Sequence, residues 1–160
     1  HDITYSGTVM AAMEGVITGN IPGFAVSVDR PENVNGLIDF STAARVAQEV
    51  IARSMRAGMP EGVLLNINVP YLPYDKLKGF MLTRQGLRIY RDVLEKRFDP
   101  RGRPYYWIGG ETPTGSLEDG TDYGALKEGY VSITPLQLYL TDQEALVKMQ
   151  SWDWTTSTET

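Results

Sequence analysis

The alternation of helix-compatible and strand-compatible segments in residues 1–70 is the feature that most constrains how this chain folds. Residues 24–28 and 63–69 are short, mostly apolar runs with the composition of largely buried strands. A helix-compatible run precedes each of them. Because buried strands that alternate with helices are typical of βαβ units, we predict an α/β fold with a parallel sheet covered by helices.

The two predicted helices have recognisable ends. Ser6 is suited to cap the first helix, which we expect to cover residues 8–16. Asp39 or Ser41 is suited to cap the second, which we expect to stop near residue 57 because a glycine and a proline follow. An apolar stripe is expected along the second helix, formed by Phe40, Ala43, Ala44, Val46, Ala47, Val50 and Ile51.

Residues 71–160 have a different pattern, with short strands, charged stretches and turn residues. We expect strands at 80–84, 87–90, 105–108 and 130–134, the last ended by Pro135, and a charged stretch at 91–98. A turn is expected at 99–104 and a Gly/Thr/Pro-rich loop at 109–120. Short helices are expected to follow Thr121 or Asp122 and Thr141 or Asp142. This pattern is typical of hairpins and arms, and less of a second compact core.

Composition excludes several kinds of site. The chain has no cysteine and one histidine, His1, which excludes disulfides, thiolate or histidine-based metal clusters and Ser/His/Asp triads. The net charge is −5 without a basic stripe, which disfavours a nucleic acid duplex as partner. No run approaches the roughly 20 apolar residues of a membrane span, and no secretory signal is recognisable. We therefore expect a cytoplasmic protein with no membrane partner.

The start of the first helix is the best candidate for a binding site. Ser6, Gly7 and Thr8 open it, and a helix N-terminus presents unpaired N–H groups and a partial positive charge that favour phosphate. Gly7 would let a ligand approach the backbone closely, and the two hydroxyls could donate to phosphate oxygens. The same residues are typical of a plain capping motif, so spacing alone leaves both interpretations open.

Other polar and aromatic residues carry weaker signals. The carboxylates of Asp2, Glu14, Asp119 and Asp122 are better explained as solvated, ion-paired or capping groups than as metal ligands. The arginines are spread over separate strands and turns, which favours a solvated or intersubunit set over an anion site; they are Arg84, Arg88, Arg91, Arg97, Arg101 and Arg103. A nucleobase could stack on the aromatic strand of Tyr105, Tyr106 and Trp107, but strand packing or an oligomer contact is the commoner explanation. Trp152 and Trp154 near the polar end predict docking onto a neighbouring subunit.

Six stretches together resemble the SurE survival-protein family of 5′-nucleotidases, in order and in approximate spacing over nearly the whole chain. They are YSGTV at 5–9 continuing into AAMEG at 11–15, LNINVP at 65–70, TRQG at 83–86, DPRGRPYYWI at 99–108, GTD at 120–122 and GYVSITPL at 129–136. The resemblance implies a Rossmann-like, three-layer α/β domain with a hairpin extension and a C-terminal arm. Residues 1–70 would be the C-terminal part of the core, and 71–160 would supply the hairpin, a return strand and the arm.

The same resemblance implies a phosphatase of nucleoside 5′- and 3′-monophosphates and, in some members, of short polyphosphate. Members use a divalent cation, Mg²⁺ or Mn²⁺, and exchange their arms to form dimers or tetramers. The family's cation ligands lie upstream of the Ser-Gly-Thr helix start, in a segment that these 160 residues do not include. What carries over is the phosphate-side wall at Ser6, Gly7 and Thr8, so we expect this chain alone to be inactive. The alternative is a non-catalytic oligomerisation or ligand-binding module derived from the same fold.

Overall fold

A computed structural model of the chain describes residues 2–19, 21–31, 36–89, 91–110, 114–115 and 117–154. The four α-helices of this part are α1 (Gly7–Gly19), α2 (Ser41–Ala57), α3 (Asp122–Glu128) and α4 (Gln143–Met149). The strands are β1 (Gly23–Asp29), β2 (Val63–Pro70), β3 (Phe80–Leu82), β4 (Arg88–Ile89), β5 (Asp92–Phe98), β6 (Pro104–Gly110), β7 (Thr114–Gly115) and β8 (Val131–Gln137).

The main sheet has four strands in the order β1-β2-β8-β3. β1 and β2 are parallel, with Phe24 opposite Leu65, which confirms the α/β fold and the parallel pairing predicted for the first half. The prediction of a parallel sheet does not extend further, because β8 runs antiparallel to β2 and β3 runs parallel to β8. β8 therefore begins beside the carboxyl end of β2, and the sheet is mixed. β8 and β3, which follow residue 70, thus complete the sheet that β1 and β2 begin. The division of the chain into two parts at residue 70 stays a prediction.

Pro135 does not end β8, contrary to the prediction. The strand continues to Gln137, and Pro135 lies opposite Leu65 of β2. β3 pairs with β8 only as far as Ile133, so beyond that point β8 has one partnered edge among the described strands. A proline without an N–H is tolerated where the second edge of a strand needs no ladder bond.

Each face of the sheet packs against a helix. On one face, Ala43, Val46 and Val50 of α2 pack with Ile67 and the neighbouring apolar strand residues. On the other face, Val9 and Val16 of α1 pack with Ala25, Leu64 and Leu136. The predicted stripe of α2 is thus confirmed for its three buried members, whereas Phe40 and Ile51 are exposed. Burial of these apolar faces is what holds the two helices on the sheet.

The start of α2 differs in detail from the prediction. Ser41 is the first helical residue and Phe40 occupies the capping position without a side-chain cap. The Asp39 carboxylate instead accepts a hydrogen bond from the Ser41 N–H at 2.8 Å. An aspartate that bonds the backbone two residues ahead forms a local turn, which here takes the place of a regular N-cap.

A long hairpin, β5–β6, replaces the charged stretch expected at 91–98. All seven residues of β5 pair with β6, from Asp92 opposite Gly110 to Phe98 opposite Pro104. The turn predicted at 99–104 is confirmed: the Asp99 carboxylate accepts from the N–H groups of Arg101 and Arg103 at 2.8 Å. Cross-strand pairing therefore outweighs the low strand propensity of the charged residues. None of the described helices combines the length and apolarity needed to cross a bilayer.

Candidate active site

The first turn of α1 has the geometry that the Ser-Gly-Thr start predicts. The Ser6 hydroxyl oxygen accepts from the Val9 N–H at 3.3 Å, and the Ser6 carbonyl accepts from the Met10 N–H at 2.9 Å. Ser6 is half-buried, whereas Gly7 and Thr8 are exposed. Because the Ser6 oxygen acts as the acceptor in the cap, its hydroxyl hydrogen stays able to donate to a ligand.

A cavity of about 780 Å³ opens beside this helix start. Ser6 and Val9 line it from α1, and Ser27, Asn66 and Asn68 line it from β1 and β2. The cavity lies toward the carboxyl ends of the two parallel strands, where open α/β sheets bind their ligands. Its volume is within the range of small-molecule binding sites. Gly7 and Thr8 are not among its lining residues and are exposed on the same turn.

The sheet face under the cavity changes from apolar to polar along the strands. Ala25 and Leu64 belong to the α1 cluster, and Ser27, Asn66 and Asn68 follow on the same face. On β8, Thr134 lies opposite Asn66 and Ser132 lies opposite Asn68.

The hydroxyls on β8 are already paired. Thr83 bonds both Ser132, at 2.8 Å, and Thr134, at 2.7 Å. The three hydroxyls are buried, so their mutual hydrogen bonds offset the cost of removing them from water. They form a fixed polar patch beside the two asparagines.

The far wall of the cavity is held by Asp122. Its carboxylate accepts from the Gly86 N–H at 2.8 Å and from the Tyr123 N–H at 2.8 Å. The N-cap of α3 is Thr121, whose hydroxyl oxygen accepts from the Gly124 N–H at 3.1 Å. Of the two predicted caps of α3, Thr121 is therefore confirmed. Asp122 instead joins α3 to the neighbouring segment, which contributes Gln85, Gly86 and Arg88 to the cavity wall.

Among the described residues, three cationic ones line the cavity: Arg30, Arg88 and Lys127. Lys127 also lies 3.8 Å from the Asp29 carboxylate. Of the six arginines considered in the sequence, Arg88 lines the cavity. Arg84 pairs with Glu118 at 2.8 Å and Arg97 pairs with Glu95 at 2.9 Å. Arg91, Arg101 and Arg103 are exposed and lie outside the lining.

The other sequence candidates that the structure describes lie away from the cavity lining. Glu14 and Asp119 are exposed, and the side chain of Asp2 is outside the described part of the structure. The aromatic strand of Tyr105, Tyr106 and Trp107 is exposed on β6. Trp152 and Trp154 stack with their ring centroids 5.6 Å apart and stay 52% and 64% exposed.

The described residues contain no cluster of acidic or histidine side chains of the kind that holds a divalent cation. Among them, no group of three or more histidine, aspartate or glutamate side chains comes together. Two carboxylates lie at the cavity, and each has partners: Asp29 faces Lys127, and Asp122 binds the two backbone N–H groups.

The opposite face of the sheet carries a second polar cluster. The Tyr74 phenol donates a hydrogen bond to Glu49, and this bond, helped by Arg53 and Arg45, lowers the pKa of Glu49. The same bond raises the pKa of Tyr74. The Ser41 N–H likewise lowers the pKa of Asp39. The Tyr74–Glu49 bond joins α2 to the segment after β2, away from the α1 cavity, whereas the Asp39–Ser41 bond is local to the start of α2.

The fold and the site define a class: an α/β protein with a polar cavity at the carboxyl ends of parallel strands and a helix start suited to an anion. Comparison with known proteins gives the family. The sequence model described as "Survival protein SurE" matches residues 1–92. The chain belongs to the SurE family, as the six motifs predict.

Relatives agree over nearly all of the chain. It is 45% identical over 153 residues to a protein named 5′-nucleotidase SurE from Chloroflexus aggregans, covering 96% of the chain and 59% of that relative. It resembles the crystal structure of the SurE protein from Aquifex aeolicus with a TM-score of 0.76 and 43% identity, over 94% of the chain and 58% of that structure. The chain thus spans a little under three fifths of the length of both relatives.

Proposed function

We propose that this chain is part of a SurE-type phosphatase that hydrolyses nucleoside 5′-monophosphates, together with 3′-monophosphates and short polyphosphate. The observation that carries the proposal is the position of Ser6, at the start of α1 and in the wall of a polar cavity of about 780 Å³. It is supported by relatives named 5′-nucleotidase SurE. The cavity is large enough for a nucleoside monophosphate.

The substrate phosphate would sit at the first turn of α1. The N–H groups of Gly7 and Thr8, together with the Ser6 and Thr8 hydroxyls, are donors that phosphate oxygens accept from. A Cβ built on Gly7 meets no atom within 4 Å, so a ligand can approach the backbone there. In phosphoryl transfer these donors would stabilise the charge that develops on the equatorial oxygens.

We also propose that the enzyme uses Mg²⁺ or Mn²⁺, with ligands supplied from outside these 160 residues. The cation would neutralise charge on the transferring group when bound. β1 has a free second edge among the described strands, and its unpaired backbone groups can pair with a further strand. A segment that adds a strand there would also bring side chains to the carboxyl end of β1. The 160 residues alone would then be inactive.

We further propose that the protein is a cytoplasmic homodimer or homotetramer assembled through its hairpin and C-terminal arm. β5 and β6 present Val93, Leu94, Phe98, Trp107 and Ile108 to solvent. The arm adds Trp152 and Trp154. Burying such apolar side chains in a neighbouring subunit is favourable, and exchanged arms are one way to do so.

A non-catalytic ligand-binding or oligomerisation module is the second candidate. It rests on the same cavity, whose lining combines the start of α1 with the cationic residues Arg30, Arg88 and Lys127. The same cavity would then bind a nucleotide without hydrolysing it.

Phosphate release separates the two candidates. Release from AMP is measured with Mn²⁺ and then with EDTA, for the 160-residue chain and for the same chain joined to the N-terminal part of a SurE relative. We expect EDTA-sensitive release from the joined protein and none from the chain alone. A folded joined protein without release would favour the non-catalytic module. EDTA-sensitive release by the chain alone would contradict the proposal that the ligands of the cation come from outside these 160 residues.

A further inference from the structure

Asn66 is a buried side chain without a hydrogen-bond partner in the described part of the chain. It is 6% exposed, lies in the middle of β2 and lines the α1 cavity. No side-chain hydrogen bond joins it to another described residue, yet no side-chain polar atom of the described residues is sealed off from solvent without a partner. The amide atoms of Asn66 therefore keep access to the cavity. Its donors and acceptor are therefore available to a molecule bound in the cavity.

The hydroxyl side chains next to Asn66 do have hydrogen-bond partners, so the lack of a partner is not shared by every polar side chain on this face. Thr134, the Cα partner of Asn66 on β8, is equally buried but bonds Thr83 at 2.7 Å. Ser132 is likewise bonded to Thr83. On the cavity side, Asn68 follows two residues after Asn66 on the same face. The two carboxamides thus form the neutral, unpaired part of a floor whose hydroxyls are already paired.

The chemistry of the carboxamide indicates which part of a ligand it contacts. A phosphate group only accepts hydrogen bonds and is matched by the donors at the start of α1 and by Arg30 and Arg88. A carboxamide offers two donors and an acceptor without charge, which matches a group that both donates and accepts. The sugar hydroxyls of a nucleotide are such groups, and they lie close to the phosphate in the molecule.

We infer that Asn66, with Asn68, binds the sugar hydroxyls of the nucleotide whose phosphate lies at the start of α1. This inference rests on the proposed function and adds the residues that distinguish a sugar phosphate from phosphate alone. Asn66 and Asn68 are then ligand-binding residues, and the neighbouring Thr83, Ser132 and Thr134 are structural.

The test compares three probes on the 160-residue chain: AMP, ribose 5-phosphate and inorganic phosphate, with affinities measured by calorimetry. In Asn66→Leu and Asn66→Ser we expect AMP and ribose 5-phosphate to bind about tenfold more weakly or worse, with inorganic phosphate unchanged within about twofold. The matched control is Thr134→Val, which should bind all three probes like the wild type.

Thermal unfolding distinguishes a ligand-binding role of Asn66 from a structural one. Because Asn66 gives up no internal hydrogen bond, we expect the Tm of Asn66→Leu to stay within about 2 °C of the wild type or to rise. Thr134→Val breaks a buried hydrogen bond and should lower the Tm by about 2–4 °C.

The outcomes separate the inference from the function on which it rests. Wild-type protein that binds neither AMP nor phosphate would overturn the phosphate site proposed at the start of α1, and the inference with it. Wild-type binding of both, with Asn66 variants that lose inorganic phosphate equally or lose nothing, would overturn the inference alone. A Tm of Asn66→Leu that falls by more than that of Thr134→Val would also overturn it, because Asn66 would then be structural.

Discussion

The Asp122 carboxylate accepts a hydrogen bond from the Gly86 N–H at 2.8 Å and so joins α3 to the loop that walls the cavity. In Asp122→Ala we expect the free energy of unfolding to fall by about 1–3 kcal/mol, because two N–H groups lose their acceptor. Asp122→Asn keeps an acceptor and should lose less. Denaturant unfolding measures the loss, and hydrogen exchange at Gly86 locates it.

The matched control for Asp122 is Asp119→Ala, an exposed carboxylate in the preceding turn. It should change the unfolding free energy by no more than about 0.5 kcal/mol. Unchanged exchange of the Gly86 amide in Asp122→Ala would contradict the role given to this contact.

Thr8 is exposed on the first turn of α1, so its hydroxyl is available to a ligand. In an active protein containing this chain, Thr8→Ala should lower turnover about tenfold or more while the Tm changes by less than about 2 °C. Thr18→Ala, at the exposed far end of the same helix, is the control and should leave turnover unchanged. A large fall in Tm with activity per folded molecule intact would exclude a role for Thr8 at the phosphate.

The Tyr74–Glu49 hydrogen bond predicts a pH dependence of stability. The pKa of Glu49 is lowered below its ordinary value of 4.5, chiefly by Tyr74, so this contribution is present above pH 4.5 and is lost as pH falls through the folded pKa. The pKa of Tyr74 is raised above 10.0, so the phenol contributes below pH 10.0 and its contribution is lost as pH rises through its folded pKa.

The variant Tyr74→Phe tests the predicted direction of this pH dependence. Wild-type protein should lose more unfolding free energy than the variant between about pH 5 and pH 3, measured by denaturant titration at each pH. Tyr105→Phe, on the exposed hairpin, should follow the wild-type curve. Parallel curves for Tyr74→Phe and the wild type would show that the bond does not form in solution.

The stacked Trp152 and Trp154 predict a self-association surface. Removing residues 141–160 should dissociate the assembly, because both exposed indoles and α4 are lost together. Removing residues 155–160 alone keeps the indoles and should leave the mass by light scattering unchanged. An unchanged mass after the longer deletion would argue against assembly through the arm.

Local sequence signals were sufficient to predict most of the helices and strands. The Ser6 cap, the buried strands 24–28 and 63–69 and the Asp142 cap of α4 were all predictable, because each depends on residues close in sequence. The direction of β8 and the pairing of the charged β5 were not, because they depend on contacts between segments far apart in the chain. Local propensity cannot specify such pairings.

The candidate site was predictable only in part. The helix start at Ser6 has a local signature, whereas Asn66 and Asn68 are known to face the cavity only once β2 is placed between β1 and β8. The available signal was two polar residues at alternate positions in an otherwise apolar strand, which indicates one polar face. Arg30 follows directly after β1 and Lys127 lies on α3; both line the cavity, and no local pattern links them.

An NMR titration of the 160-residue chain with AMP tests the central claim most directly. The claim predicts saturable shifts of the backbone amides of Gly7, Thr8 and Val9 and of the side-chain amide of Asn66, with none at Arg101 to Arg103 in the hairpin turn. Inorganic phosphate should shift the three backbone amides without the Asn66 side chain. Saturable AMP shifts confined to Tyr105, Tyr106 and Trp107, or no saturable shifts at all, would contradict a nucleotide site at the start of α1.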